Sequence, residues 1–216
     1  STGLMNLNNV TDTNNNTIVL DVGPTISADV ATGTGALVNN NQFTVVNLAN
    51  TTAASVPALV TGIYDLNAGT RNVDVREGNA PVELNIAAVI QGGANGINKA
   101  GRGTLALTGN NTYTGTTTLN ADSGTLLANT PNTVAISPYT VNAGSILGGT
   151  GTITGAVTVN GVGSNLAIGG IINPGPNAPT PGNTGILTIN NNVSFGAGAQ
   201  LQADINGTTV GTQYDQ

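Results

Sequence analysis

Asn98-Lys99-Ala100-Gly101-Arg102-Gly103-Thr104-Leu105-Ala106-Leu107-Thr108-Gly109-Asn110-Asn111-Thr112-Tyr113-Thr114-Gly115-Thr116-Thr117-Thr118-Leu119 is the stretch on which the fold turns. Leu105 and Leu107 alternate with Thr104, Ala106 and Thr108, a two-residue period that sends one set of side chains inward and the other to solvent. Gly109-Asn110-Asn111 closes the run. The same period recurs elsewhere. Val82, Leu84 and Ile86 alternate with Glu83 and Asn85, Val157 and Val159 bracket Thr158, and Leu187 and Ile189 bracket Thr188. Leu201, Ala203 and Ile205 alternate with Gln200, Gln202 and Asp204. No amphipathic helix pattern competes with these runs, and Thr, Asn and Gly are poor helix formers.

Closely spaced short strands fit a sandwich, a barrel or a β-solenoid. The inner residues are mostly Val, Ile, Leu and Ala. The aromatics are Phe43, Tyr64, Tyr113, Tyr139, Phe195 and Tyr214, with no Trp for the centre of a sandwich. A narrow, stacked solenoid core suits that inventory, and its outward Thr and Asn can form ladders between coils. Internal likeness points the same way. Gly103-Thr104-Leu105-Ala106-Leu107-Thr108-Gly109 resembles the stretches that begin at Gly151-Thr152-Ile153 and Gly185-Ile186-Leu187. The offsets, 151 − 103 = 48 and 185 − 151 = 34, make this a degenerate repeat with turns of varying length.

Composition removes several functions. The 216 residues include 33 Thr, 32 Asn and 31 Gly, and only 6% are charged, for a net charge of −6. With no His and no Cys, a Ser–His–Asp triad, a Cys–His pair and a Cys/His zinc site are excluded. Four basic residues do not build a phosphate-tracking surface, so nucleic acid is not an expected partner. No cofactor or metal is expected. The 38% apolar content and low net charge argue for a folded chain rather than a disordered one.

The stretch from Asn98 to Leu119, with Gly124-Thr125-Leu126 after it, resembles the passenger-associated β-strand repeat of autotransporters, which reads roughly K-x-G-x-G-T-L-x-L-x-G-x-N-T-Y-x-G-x-T-x-V and then a G-T-L strand. Gly144-Ser145-Ile146-Leu147-Gly148-Gly149-Thr150-Gly151-Thr152-Ile153-Thr154-Gly155, the Asn173-Pro174-Gly175 loop and Gly211-Thr212-Gln213-Tyr214-Asp215-Gln216 are also similar to such passengers. The likeness covers roughly residues 70–216, while residues 1–60 share it only in composition. Ala100 and Arg102 depart from the usual small or hydroxyl residues of that turn. The resemblance implies an all-β, right-handed single-stranded parallel β-helix, exported and displayed on a bacterial surface. The expected organisation is an N-terminal β-rich segment at 1–60, forming early coils or a cap, and a β-helix at 61–216 from a longer chain. Attachment to the outer membrane would lie in a further C-terminal region.

Candidate chemistry concentrates in one segment. Asp65, Arg71, Asp74, Arg76, Glu77, Glu83, Lys99 and Arg102 are eight of the fourteen charges, and they include every base. With Val73 and Val75 inward, Asp74 and Arg76 share an outer face. Two readings stand: an acidic-polysaccharide site of the kind found on β-helix lyases, or solvent-facing charges in weak ion pairs. A calcium site is weaker, because Ile153 replaces the Asp of a G-G-x-G-x-D turn and Asp12 with Asn14, Asn15 and Asn16 forms no calcium-loop pattern. Tyr113 and Tyr139 are either sugar-stacking platforms or packing beside a coil corner. The expected function is that of a structural and adhesive stalk or scaffold. It could associate with itself through solenoid ends or sides, or with surface glycans. A polysaccharide lyase or hydrolase and a glycan-binding adhesin are the alternatives.

Overall fold

The computed structural model describes residues 3–21, 28–46, 56–129, 136–162, 168–176 and 183–216. Among these residues the regular structure is all strand: β1 (Gly3–Asn6), β2 (Asp12–Asn14), β3 (Ile18–Asp21), β4 (Ala28–Asn39), β5 (Phe43–Val46), β6 (Ala58–Asp65), β7 (Arg71–Val75), β8 (Leu84–Ile86), β9 (Val89–Gln91), β10 (Ile97–Ala100), β11 (Thr104–Leu107), β12 (Thr117–Leu119), β13 (Gly124–Ala128), β14 (Tyr139–Val141), β15 (Ser145–Gly148), β16 (Thr152–Ile153), β17 (Val157–Val159), β18 (Ile171–Ile172), β19 (Thr188–Ile189), β20 (Val193–Phe195) and β21 (Gln200–Leu201). Successive strands in the chain do not pair with each other. Each pairs in parallel with its counterpart one coil away, which is the arrangement of a β-solenoid.

Three sheets result. The first runs β1-β4-β6-β8-β11-β13-β15-β18-β21, with β2 on β4 and β9 on β6, and the second runs β3-β5-β7-β10-β12-β14-β17-β20. A short third sheet pairs β16 with β19. Between β4 and β6 the register shifts after Ala31, where Gly33 and Gly62 take positive φ. The first half of β6 therefore pairs with β8 and the second half with β9.

The register explains the alternation read from the sequence. Leu84, Leu105, Leu126, Leu147 and Ile172 stack in one buried inward column. Burying each such side chain is worth roughly 1.5–3 kcal/mol. On the second sheet the inward column is Phe43, Val73, Lys99, Leu119, Val141 and Val159, so a lysine stands among aliphatics. The outward column there is Asn72, Asn98, Thr118, Thr140, Thr158 and Ser194, uncharged throughout. Phe43 packs edge-on against Tyr64 at 5.8 Å between ring centres, and Asn39 Nδ2 donates to the Tyr64 hydroxyl at 2.9 Å. Burial pushes the Tyr64 hydroxyl up to about 12.

Three details differ from the alternation. Val82 is not inward; it packs outside the first sheet with Ala106, Leu127 and Ile146. Glu83, expected on the solvent side of a strand from Val82 to Ile86, is 3% exposed and precedes β8. Leu201 and Ile205 are 62% and 80% exposed, and β21 ends at Leu201. For the stretches Ile18 to Val22 and Phe43 to Leu48, β3 and β5 cover the described part; positions 22, 47 and 48 lie outside the described residues.

Candidate binding groove at the coil corners

The corner from the second sheet to the first is tight in three successive coils: 101–103 joins β10 to β11, 120–123 joins β12 to β13, and 142–144 joins β14 to β15. Glycine makes this possible. Gly101 has φ 72° and Gly124 has φ 68°, and a Cβ on them would sit 2.3 Å from Val75 O and 2.1 Å from Arg102 O. Positive φ and contact with the neighbouring coil's backbone both select glycine.

The coil before these three departs from this pattern. Between β7 and β8 the chain makes an eight-residue excursion, 76–83. Glu83 ties this arch to the sheet: Gly78 N donates to Glu83 Oε1 at 3.0 Å and Thr104 N donates to Glu83 Oε2 at 2.6 Å. Burial pushes the Glu83 carboxyl up, while these two backbone donors and the Lys99 ammonium pull it back. Between arch and sheet lies an open groove of about 300 Å³, with Glu77, Ala80 and Glu83 on the arch side, Arg102 at the rim, and Thr104, Thr125 and Ile146 along the sheet.

Lys99 lies next to this groove and does not open into it. It is fully buried, and its Nζ donates to Gly101 O at 2.8 Å, to Ala100 O at 3.4 Å and to Ser123 O of the next coil. Burial pulls its ammonium down to about 7, against the opposing pull of Glu83 and Asp74. Arg102 pairs with Asp122 across one coil, with both side chains substantially exposed. Such a pair contributes about 0–1 kcal/mol.

The structure splits the eight charges singled out in the sequence. Arg76, Glu77 and Glu83 belong to the arch, Arg102 to the adjoining corner, and Asp74 and Lys99 to the ends of β7 and β10 beside them. Asp65 and Arg71 belong to the opposite corner. There the Asp65 carboxylate accepts from Asn67 N and Gln91 Nε2, and Arg71 Nε donates to Leu66 O at 2.9 Å. Thr125 and Ile146, which line the groove, and Asp122, which pairs with Arg102, carry no local sequence signal, because they arrive there through inter-coil offsets of about twenty residues. The signal was the spacing between the Gly-Thr-Leu runs at Gly103 and Gly124, which is one coil.

The remaining candidates resolve into structure. Tyr113 and Tyr139 are buried, so neither ring offers a face to a sugar. Tyr113 OH meets Thr117 Oγ1 at 2.6 Å, Thr117 Oγ1 meets Ser137 Oγ at 3.3 Å, and Ser137 Oγ donates to Gly115 O at 2.7 Å. Ile153 belongs to the core. The Asn14 Oδ1 accepts from Asn16 N, and the Asn15 Oδ1 accepts from Asn40 Nδ2. Among the described residues no three His, Cys, Asp or Glu side chains converge as a metal site would need.

A parallel β-solenoid with a glycine-built corner stack, and a lysine locked into that stack, is the class that fold and site define. Residues 97–128, which include Lys99, Gly101, Gly103 and Gly124, match the model of the passenger-associated-transport-repeat family. Over 129 residues, 60% of this chain, the sequence is 37% identical to the adhesin BmaC autotransporter of Brucella suis biovar 1 (strain 1330). The chain spans about 3% of the length of that relative. No solved structure matches.

Proposed function

We propose that this chain is part of an exported, surface-displayed passenger, a β-helical stalk whose outer faces take part in adhesion. The observation that carries this reading is the 97–128 repeat set into a continuous coil stack and matching a passenger family. The similarity to a protein named as an adhesin autotransporter supports the adhesive part. A stacked parallel solenoid resists unravelling because each strand's backbone donors and acceptors are taken up by the next coil. The uncharged outward column from Asn72 to Ser194 presents amides and hydroxyls without long-range electrostatic bias, which suits contact surfaces and lateral packing of copies.

The polysaccharide-lyase reading, with carboxylates from residues 65–83 and an Arg or Lys base, has less support: Lys99 is buried and engaged with three carbonyls, and Glu83 is tied to two backbone donors. The test is adherence. Beads coated with the purified chain should bind eukaryotic cells above beads coated with an unrelated β-solenoid. Equal binding by both would sink the adhesive reading, and release of oligosaccharides from acidic polysaccharides would revive the enzymatic one. Light scattering at rising concentration reports on lateral association, and a monomer throughout removes that part.

A further inference from the structure

We infer that the groove beneath the 76–83 arch is a binding site for one neutral sugar unit of a glycan; this rests on the adhesive reading above. Charge placement is the first support. Only fourteen residues of the chain are charged, yet Asp74, Arg76, Glu77, Glu83, Lys99, Arg102 and Asp122 are gathered at this arch and the corners stacked on it. Arg76, Glu77 and Arg102 are exposed; of these Glu77 and Arg102 line the groove, and Arg102 also pairs with Asp122.

The second support is that the groove is preformed. Glu83 is buried, and its two backbone hydrogen bonds fix the arch at both Gly78 and Thr104. A ligand entering there meets a shaped wall and does not have to order a loop, which keeps the entropic cost of binding low.

The third support is chemical. The groove is lined by a carboxylate, Glu77, a guanidinium, Arg102, and the threonines Thr104 and Thr125. Hydroxyl groups both donate and accept, so a sugar satisfies the two charged groups together. An anion would face Glu77 and Glu83, and a cation would face Arg102. Ile146 and Ala80 supply a small apolar patch for a ring's C–H face. The volume, about 300 Å³, lies at the small end of ligand pockets and fits one ring better than an extended chain. A peptide strand finds no free edge here, because β11 and β13 are paired on both sides.

The test is an amide chemical-shift titration of the full chain with lactose and cellobiose, with digalacturonate and a lysine-rich peptide as comparisons. The expected result is saturable shifts at Gly103, Thr104, Gly124 and Thr125 with a neutral disaccharide, weakened about tenfold or more in Glu77→Gln and Arg102→Gln. Asn98→Ala, on the second sheet, should leave binding intact. Absence of shifts at the groove with both neutral sugars overturns the inference. So do shifts that persist unchanged in both variants, or a stronger response to digalacturonate or to the peptide. Bead adherence measured on the same variants separates the two claims. Adherence of the unsubstituted chain with a silent groove overturns this inference alone, failure of the unsubstituted chain to adhere overturns the adhesive reading, and adherence lost only in Glu77→Gln and Arg102→Gln supports both.

Discussion

Two parts of the solenoid hold their coils in register by different means. Across residues 97–145 the ties are buried: Lys99 Nζ on Ser123 O, Tyr113 on Thr117 and Thr117 on Ser137, and Ser123 on Ser145 at 3.1 Å. Across residues 15–95 an outer amide ladder runs beside a buried tie, Asn39 Nδ2 on the Tyr64 hydroxyl. Asn40 Nδ2 donates to Asn15 Oδ1 and Asn67 Nδ2 to Asn40 Oδ1, each at 2.6 Å, and Asn95 Nδ2 donates to Asn67 O. Water replaces a broken exposed bond, whereas a broken buried one leaves a polar atom without a partner. The same geometric job therefore carries different energetic weight in the two regions.

The comparison breaks or sharpens under four changes. The largest effect is expected from Gly124→Val, which puts a β-branched side chain at φ 68° and a Cβ 2.1 Å from Arg102 O. Denaturant unfolding should show a loss of roughly 3–4 kcal/mol. An effect near zero would mean that the corner stack can relax.

Next comes the titration of Lys99. Its folded-state value is lowered to about 7 from the ordinary lysine value of 10.5, so above pH 7 the folded chain releases this proton before the unfolded chain does. Stability should therefore rise with pH, by up to about 1.4 kcal/mol per unit, or roughly 2–3 kcal/mol between pH 7 and 9. Buried tyrosines act in the opposite sense, since Tyr64 holds its proton to about 12, so the rise ends near pH 10. Glu83 and Asp74 face the Lys99 ammonium and oppose its loss of charge. In Lys99→Met the pH 7–9 slope should vanish, and an unchanged slope refutes the assignment.

Thr117→Val comes third. It keeps the shape of the side chain and removes the hydroxyl between Tyr113 and Ser137, for an expected loss of about 1–2 kcal/mol in thermal or chemical melts. Smallest is Asn40→Ala, which cuts the outer ladder in its middle and should cost about 0.5 kcal/mol. If Asn40→Ala matched Thr117→Val, the contrast between buried and exposed ties would fail.

Much of this architecture was legible in the residues. The alternation of Leu105 with Leu107 and of Val157 with Val159 fixed their inward columns, because strand period and burial are one geometric fact. Lys99 was legible too, but it was grouped with surface charges. Ile97 and Lys99 are two apart on one strand, so the lysine follows the isoleucine inward. Glu83 was not legible. Its burial depends on the arch folding back over Thr104, twenty-one residues away, and no local period encodes that. The partner Asp122 escaped for the same reason, since coil-to-coil distance is set by corner lengths that vary along the chain.

The arch bears on how such a chain can diversify. On both sides of it β7 still pairs with β10 in register, and β8 with β11. The extra length is absorbed outside the ladder and is not passed on to neighbouring coils. An insertion at one corner can therefore add a wall, a lip and a new chemical surface while every other coil keeps its partners. Variation in specificity can then be written in corner length, coil by coil, upon a scaffold that the change leaves undisturbed.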